Sequence, residues 1–407
     1  MSKKKICIIS QNLYELGGVQ RTISEICNNL MNREDIELSI LMSTNNKEKS
    51  CFYINEAVNI IEISDVFIEK FVPLYKPFNM VNRRTKILDN IIGVHFAKNM
   101  FFRSNELDKL VGWINNEKFD VVIGATAIYA LLVGFIADRI DAKTIGWMHS
   151  TYEGYYCMRG QNLYGSEKLS MKMLSKLDRL FVLNSFDQKK FEKKCNVKCD
   201  ILYNPIKYSL KKENSRKKYD LIFVGRLNEQ VKGLDYLIDI ISKIKKDVKN
   251  DIKCMIVGDG KDRGYLEECI LKNDLEDNVE LVGFQKNVTK YYMESKILIS
   301  TSRWEGFGLT IIEAMACGVP CIAFDNEGPA EIIEDGQNGI LVPKYNTEYF
   351  AKAIKECFVD EKKYEVLSKN AVERAKDFDI KKIVDRFLNL IKDVCYEQKK
   401  KVYYYYR

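Results

Sequence analysis

The sequence predicts an α/β protein made of two successive doubly wound parallel sheets. The chain has 407 residues, enough for two or three domains, and 46% of them are apolar, enough for large cores. Short apolar runs typical of buried strands alternate with amphipathic helical patterns, an alternation that favours parallel sheets covered by helices. The alternation pauses at a polar, basic stretch near residue 205 and then begins again.

The first half opens with a buried strand, KKICIIS at residues 4–10, and an amphipathic helix. The helix is predicted from apolar residues at helical spacing: Val19, Ile23, Ile26, Cys27 and Leu30. Further strands are predicted at 36–42, 58–63, 119–125, 143–149 and 179–184. Helical patterns separate most of these strands, so we expect them to pair in parallel.

A second series of strands follows the polar, proline-marked linker at residues 203–218. Its predicted strands lie at 219–227, 253–260, 278–284, 296–300, 320–325 and 339–343, and a helix is predicted at 380–399. The predicted organisation is an N-terminal domain at 1–204, a C-terminal domain at 205–385, and a terminal helix and tail at 386–407. Two placements stay open for that terminal segment: packing back on the N-terminal domain, or fraying.

Ligands of doubly wound sheets bind beyond the carboxyl ends of the strands, so we expect a site in a cleft between the two domains. The Gly17-Gly18 turn falls between the first strand and its helix, where free N–H groups could approach an anion. An ordinary tight turn explains these glycines equally well. Arg226 and Lys232, in GRLNEQVKG, follow the first strand of the second half and would suit a diphosphate, unless they are a solvated pair.

The stretch RWEGFGLTIIEAMACG carries two glutamates, Glu305 and Glu313, around a glycine-rich turn. A helix that ends at Gly318 is predicted after the turn, and its free N–H groups near Phe307–Thr310 form a second candidate anion site. A carboxylate beside a phosphate would be repelled, whereas it can accept hydrogen bonds from hydroxyl groups. The pattern therefore predicts that these carboxylates hold sugar or ribose hydroxyls at either end of an anionic ligand.

The chain has two histidines. His149 ends a predicted strand and could hydrogen-bond a sugar or phosphate oxygen, whereas His95 is interpreted as structural or interfacial. We expect no metal site, because the twelve cysteines lack zinc-type spacing. The D-x-D sequence at 377–379 precedes a helix that Asp379 could cap, which favours a structural role.

Taken together in order, several motifs of the second half resemble retaining glycosyltransferases of the GT-B type, in glycosyltransferase family 4. These motifs are VGRLNEQVKG, IVGDG, LVGF, ILISTSRWEGFGLTIIEAMACGVPCIAFD and EIIEDGQNGILV, between about residues 220 and 345. The first half is similar through GGVQR and WMHST alone. The resemblance implies the GT-B fold, in which two Rossmann-like domains face a central cleft.

The resemblance also implies roles for individual residues. Arg226 and Lys232 would neutralise the donor diphosphate, Glu313 would hold the ribose, and Glu305 and His149 would face the transferred sugar. The residues implied to bind the nucleotide, including the base near Gly283, are Gly17, Gly18, Gly225, Gly283, Phe284, Gly306, Phe307, Gly308, Leu309, Thr310 and Glu313. Gln20 departs from the family pattern, where an acidic residue often follows the glycine pair.

The implied activity is the transfer of a hexose or N-acetylhexosamine from a nucleotide sugar, with UDP expected, to a sugar or lipid-linked saccharide. Anomeric configuration would be retained, no metal or other cofactor would be required, and the product would belong to a surface glycan. A sugar-nucleotide epimerase or a phosphorylase on the same fold stays open as an alternative.

Residues 70–103 are unusually basic, with seven cationic side chains against Asp89 and a net charge of +6, compared with +7 for the whole chain. Aromatic and apolar residues are interleaved with them, which favours contact with an anionic membrane surface, although a solvated basic face would look the same. Nucleic-acid binding is disfavoured because no recognised module is present. With no secretory signal and no apolar run of about 20 residues, we expect a cytoplasmic protein, peripheral to the membrane if residues 70–103 bind it.

Overall fold

The computed structural model describes residues 3–42, 52–63, 101–157, 163–207 and 217–397. The chain divides into two compact units. The first unit consists of two segments of the chain, the residues up to Pro205 and those from Ile380 onward. The second unit is Ile206–Asp379. Each unit is built on its own parallel sheet.

The first unit contains a seven-stranded parallel sheet in the order β3-β2-β1-β4-β5-β6-β7. Its strands are β1 (Lys4–Ser10), β2 (Ile36–Met42), β3 (Asn59–Glu62), β4 (Val121–Ala125), β5 (Lys143–Trp147), β6 (Arg179–Val182) and β7 (Cys199–Ile201). Six of these correspond to predicted strands. The edge strand β7 was not predicted, because three residues are too short to show a strand pattern.

Both faces of this sheet are buried, as expected for a doubly wound fold. Along β1, Cys7 and Ile9 lie in one apolar cluster, whereas Ile6 and Ile8 lie in another. Successive side chains of a strand point to opposite faces, so this division means that packed helices cover the two sides. Among the described residues of this part of the chain, the helices are α1 (Gly18–Leu30), α2 (Ser104–Glu117), α3 (Ala127–Ile136), α4 (Tyr152–Tyr156), α5 (Glu167–Leu174) and α6 (Ser185–Cys195).

The second unit contains a six-stranded parallel sheet in the order β10-β9-β8-β11-β12-β13. Its strands are β8 (Tyr219–Val224), β9 (Cys254–Val257), β10 (Val279–Gly283), β11 (Ser295–Ser300), β12 (Cys321–Phe324) and β13 (Gly339–Val342). Its helices are α7 (Glu229–Lys232), α8 (Leu234–Asp247), α9 (Arg263–Lys272), α10 (Thr289–Met293), α11 (Leu309–Ala316), α12 (Glu327–Ile332), α13 (Thr347–Val359) and α14 (Glu361–Ala375). The predicted fold class, two Rossmann-like parallel sheets, is confirmed.

The last described helix, α15 (Ile380–Tyr396), packs on the first unit. Its Phe387 is fully buried, with ring centroids 6.0 Å from Trp147 and 6.2 Å from Phe181. Since Ile380 and Ile383 already belong to the first unit's apolar core, the division of the chain falls before Ile380. The boundary expected at residue 385 lies inside this helix, because its apolar stripe is continuous from the first turn.

Glu397, just beyond α15, ties the end of the helix to the sheet. Its carboxylate lies 2.7 Å from Nη2 of the buried Arg179 and 3.1 Å from Nζ of Lys198, while Lys143 donates to its carbonyl oxygen at 2.5 Å. Burial acts to raise the pKa of Glu397, but the hydrogen bonds and charges of Lys198 and Arg179 outweigh it and lower that pKa. The ionised carboxylate therefore stabilises the docked helix end.

We expect Glu397→Gln to lower the free energy of unfolding by about 1 kcal/mol at pH 7, the scale of a partly exposed ion pair. A carboxylate whose pKa is lowered by folding stabilises the fold above its unfolded pKa, here near 4.5, and loses that effect as the pH falls further. Urea unfolding of wild type and variant at pH 7 and pH 3.5 measures the loss of stability and its expected decrease at low pH. Asp393→Asn, on the same helix and exposed, is the matched control. An equal loss in the control would contradict this role.

Candidate functional site

The predicted residues of the second unit converge at the carboxyl edge of its sheet. All its strands are parallel, so every carboxyl end lies at the same edge. The chain order reverses at β8, which has β9 on one side and β11 on the other. The connections leaving β8 and β11 therefore run to opposite faces of the sheet, and the gap between them is the usual ligand position in such folds.

Lys232 and Glu305 meet at this switch point. Lys232 ends α7, after β8, and its Nζ lies 2.5 Å from Oε2 of Glu305 in the loop after β11, with both side chains 20% exposed. Gly225, at the end of β8, lies under the lysine: a Cβ built on it would be 3.5 Å from Lys232 Cε. The structure thus brings together three residues predicted for the site from two separate motifs.

The two loops are joined through their backbones as well. The Thr301 hydroxyl donates to the Lys232 carbonyl oxygen at 2.9 Å. Gly233 has φ +59°, and a Cβ there would lie 2.4 Å from the Thr301 carbonyl oxygen. Only glycine permits this combination of a left-handed conformation and close approach. The position of Lys232 relative to Glu305 is therefore set by packing between loops.

Arg303 is a residue that sequence reasoning did not single out. Its amide donates to the Val231 carbonyl oxygen at 2.9 Å, and its guanidinium lies 2.8 Å from Glu229 and 2.6 Å from Asp235. It also lies 4.6 Å from the ring centroid of Tyr236, in cation–π contact. Arg303 thus joins the Glu305 loop to α7, which ends at Lys232, and to α8. It stands in the motif RWEGFG, but its partners are too distant in sequence to show this role.

The turn before α11 rests on the start of α12. Gly328 donates its N–H to the Glu305 carbonyl oxygen at 3.1 Å, and a Cβ on Gly328 would lie 2.6 Å from the Phe307 nitrogen. Phe307 is buried and packs edge-on against Phe378, at 5.5 Å between ring centroids. Gly306 lies within this turn. Phe307 is therefore part of the packing beneath the turn.

Gly308 precedes the first residue of α11 and has φ +108°. The predicted residues Leu309 and Thr310 are in the first turn of that helix, whose free N–H groups face the carboxyl edge. Glu313 lies one turn further along and is half-buried. The hydroxyl of Tyr292, in α10, donates to Glu313 Oε2 at 3.0 Å. Tyr292 is a second residue that the motifs did not reveal.

Backbone hydrogen bonds of glycine residues join the ends of β8, β9 and β10. Gly225 donates to the Val257 carbonyl oxygen at 3.0 Å, and Gly258 donates to the Gly283 carbonyl oxygen at 2.9 Å. Gly283 has φ +76°, and Phe284 beyond it is 51% exposed. Arg226 is also exposed. This edge therefore presents a cation and an aromatic ring to solvent above a glycine-lined backbone.

Gly17, Gly18 and His149 belong to the first unit. Gly17 is extended, with φ 174°, and α1 begins at Gly18 directly after it. The side chain of the buried Gln20 folds back onto Gly17, where a Cβ would lie 2.2 Å from its Oε1. The glycine at this position thus makes room for the glutamine that departs from the family pattern.

His149 follows β5, and its imidazole ring is unusual because its nitrogens make no hydrogen bond to the described residues. Its amide donates to the Tyr155 hydroxyl at 3.0 Å, and its ring lies 4.5 Å from that of Trp147. Both ring nitrogens are shielded from solvent, and neither has a hydrogen-bond partner within the described part of the chain. Burial lowers the pKa of His149 to about 3, so the imidazole is neutral at physiological pH.

We expect wild type to lose stability relative to His149→Asn as the pH falls from 7 to 5. The unfolded histidine takes up a proton near its ordinary pKa of 6.5, whereas the folded one stays neutral, so acid favours the unfolded state. The relative change should be about 1–2 kcal/mol. Urea unfolding of both proteins across this range measures it. A stability difference that does not vary with pH would show that the imidazole titrates normally.

The D-x-D segment lies at the end of the second unit. Asp377 pairs with Arg374 at 3.1 Å, Phe378 packs on Phe307, and Asp379 directly precedes α15. Within the described ranges, no three His, Cys, Asp or Glu side chains gather where they could hold a metal ion. None of the described helices combines the length and hydrophobicity needed to span a bilayer. Residues 70–100 and His95 lie outside the described residues, so the predictions made for them stay predictions.

Comparison with known proteins finds a family match in the second unit. A family profile described as "Glycosyl transferases group 1" matches residues 207–374, which span almost the whole second unit. The amylovoran biosynthesis glycosyltransferase AmsD of Erwinia amylovora is 26% identical over 318 residues, covering 75% of this chain and 86% of the relative.

Solved structures match both units. Sucrose-phosphate synthase from Thermosynechococcus elongatus aligns with a TM-score of 0.75 and 16% identity, covering 96% of this chain and 99% of the other. The pneumococcal O-GlcNAc transferase GtfA, solved with UDP and GlcNAc, aligns with a TM-score of 0.72 and 16% identity. The alignment covers 97% of this chain and 100% of the other. At this identity the likeness is one of fold, and the shared fold is GT-B. Residues 207–374 match the group 1 glycosyltransferase family, and the protein is a transferase enzyme.

Proposed function

We propose that this enzyme transfers a hexose or N-acetylhexosamine from a UDP-sugar to a saccharide or lipid-linked saccharide, with retention of anomeric configuration. The observation that carries the proposal is the contact between Lys232 and Glu305 at the switch point of the second sheet. It places a fixed cation and a carboxylate side by side, beside the first turn of α11. Such a set matches a donor that has an anionic diphosphate next to a hydroxyl-rich sugar.

The difficult step is departure of the nucleoside diphosphate, which gains negative charge as the glycosidic bond breaks. Lys232 and Arg226 would stabilise that charge, together with the free N–H groups at the start of α11. Each preorganised donor of this kind can contribute about 3 kcal/mol in the transition state. Because these groups supply the positive charge, we propose that no metal ion is required.

The carboxylates would bind hydroxyl groups at the two ends of the donor. Glu305 would accept hydrogen bonds from the transferred sugar while keeping Lys232 aimed at the diphosphate. Glu313, one turn into α11, would accept from the ribose. Glu313 would thus lie away from the phosphates, where negative charge opposes binding, and the charge of Glu305 would be offset by its contact with Lys232.

His149 would hydrogen-bond the transferred sugar as a neutral imidazole. A neutral ring carries one donor and one acceptor nitrogen, which suits a hydroxyl group. Its shielded, unpartnered nitrogens support this role, because buried polar atoms normally have partners. Gly17 and Gly18 would bring the start of α1 close to the donor, and Phe284 would lie near the base.

The choice of UDP and of a glycan product is supported by the proteins this chain is similar to. GtfA was solved with UDP and GlcNAc, and AmsD is named for amylovoran biosynthesis. A poly(ribitol-phosphate) alpha-N-acetylglucosaminyltransferase of Staphylococcus aureus is 31% identical over 228 residues. These names favour an N-acetylhexosamine or hexose donor and a polymeric or surface-glycan acceptor.

A donor panel tests the proposal. UDP-glucose, UDP-galactose, UDP-N-acetylglucosamine and GDP-mannose are compared by thermal unfolding, and at a concentration of 100 Kd a bound donor should stabilise the fold by about 2.7 kcal/mol. Octyl glucoside and octyl N-acetylglucosaminide serve as acceptors, and NMR shows the anomeric configuration of the product. The reactions contain EDTA, so that they also test whether a metal ion is required. A UDP-sugar should bind and be transferred with retention.

Three other results would overturn the proposal. Epimerised donor without acceptor would indicate an epimerase, and phosphate-dependent release of sugar 1-phosphate would indicate a phosphorylase. An inverted product would remove the claim of retention.

We also propose that residues 70–103 bring the enzyme to an anionic membrane, where a lipid-linked acceptor would be found. The support is the net charge of +6 with interleaved aromatic residues. Flotation with vesicles containing anionic lipid should recover wild type and less of an Arg83→Glu, Arg84→Glu variant. Equal recovery of both, or of neither, would overturn the proposal.

A further inference from the structure

We propose that Tyr292 is a positioning residue that holds the Glu313 carboxylate in the orientation that accepts the ribose hydroxyls of the nucleotide. The inference rests on the proposed function, since it needs a nucleoside diphosphate at this edge. It identifies a hydrogen bond that orients Glu313, which the sequence motif does not show.

The contact joins two helices on different connections of the sheet. Tyr292 lies in α10, which precedes β11, and Glu313 lies in α11, which follows it. The tyrosine is 1% exposed, and its hydroxyl donates to Glu313 Oε2 at 3.0 Å. A buried aromatic ring has little rotational freedom, so its hydroxyl is a fixed donor.

A donor at a fixed position restricts the orientation of the Glu313 carboxylate. The carboxylate is carried on a long side chain with several rotatable bonds. Left to itself, such a side chain would lose rotational entropy each time a nucleotide bound. A hydrogen bond to Oε2 already made in the free enzyme restricts the plane of the carboxylate beforehand.

Preorganisation of this kind improves affinity by reducing the cost of ordering. The restriction of one long side chain corresponds to about a tenfold change in Kd. The ribose lies away from the bond that breaks, so the effect should fall on donor binding and leave kcat at saturating donor nearly unchanged. A change in KM without a change in kcat is therefore expected.

Isothermal titration with UDP and with its 2′-deoxy and 3′-deoxy analogues tests the inference. Tyr292→Phe keeps the ring and removes the hydroxyl. This variant should bind UDP about tenfold more weakly than wild type does. Its affinity for the analogue that lacks the recognised ribose hydroxyl should fall by less than twofold. Tyr219→Phe is the matched control, because it also removes a tyrosine hydroxyl that donates to a glutamate, Glu280, but at the first residue of β8. Its UDP affinity should equal that of wild type.

The outcomes separate the inference from the proposed function. If Glu313→Gln weakens UDP and Tyr292→Phe does not, the positioning role is wrong and the proposed function stands. If Tyr292→Phe weakens UDP and both analogues equally, the tyrosine acts on general packing and the inference is also wrong. If wild type does not bind UDP, or Glu313→Gln leaves UDP binding unchanged, the assigned nucleotide site itself fails.

Discussion

Replacing Lys232 by methionine should lower kcat about 100- to 1000-fold while the protein remains folded. The ammonium lies 2.5 Å from Glu305, at the point where the two loops of the second sheet meet. Methionine keeps most of the apolar stem but removes the charge. Loss of one preorganised group that stabilises the leaving diphosphate has a cost of this size. Steady-state kinetics with the best donor of the panel measures it.

The matched control is Lys243→Met in α8. Lys243 also pairs with carboxylates, at 2.8 Å from Asp239 and 3.2 Å from Glu348, so its replacement removes a paired lysine of the same unit. We expect it to leave kcat within about twofold of wild type, as for a partly exposed ion pair away from the reacting atoms. If both variants lost activity equally, Lys232 would have no special role.

The second large effect is expected from Gly258→Ala. Gly258 has φ +145°, and a Cβ there would lie 1.9 Å from the carbonyl oxygen of Gly225. An alanine at this position would be strained and would push against the backbone that lies under Lys232. We expect a loss of about 3 kcal/mol or more in the free energy of unfolding, together with weaker donor binding.

Urea unfolding and UDP titration of Gly258→Ala check both effects. Gly264→Ala is the control in the same unit, since it lies in α9 and a Cβ there would meet no atom within 4 Å. Because alanine favours helices more than glycine, the control should be neutral or more stable by up to about 1 kcal/mol. A Gly258→Ala protein as stable as the control would mean that the backbone around Gly258 tolerates a side chain, and the prediction would be wrong.

Much of the architecture is local and could be predicted from the sequence. β1 and β2 are found at the residues predicted for them, because each is a short apolar run with clear limits. α11 begins after Gly308 and is followed by Gly318 at φ +71°, as the glycine signals indicate. Hydrophobic periodicity and turn residues act within a few positions of the chain, so they can be recognised without the fold.

The strand order and the contacts between loops could not be predicted from the sequence and are seen only in the tertiary structure. No local pattern shows that β8 lies between β9 and β11, although that order places Lys232 beside Glu305. The same holds for α15, whose place in the first unit follows from what its apolar stripe covers. An amphipathic pattern states that a face will be buried, but not against which partner.

The sequence by itself determined where most of the strands run, that they form two sheets, and which charged and glycine residues follow the strands. Only the tertiary structure decided that Arg303 contacts both Glu229 and Asp235, that Tyr292 donates to Glu313, and that both nitrogens of His149 lack partners within the described residues. The physical reason is the range of the interactions. Backbone preferences and periodic burial are properties of short segments, whereas hydrogen bonds and ion pairs between distant segments exist only after the sheet has set its order.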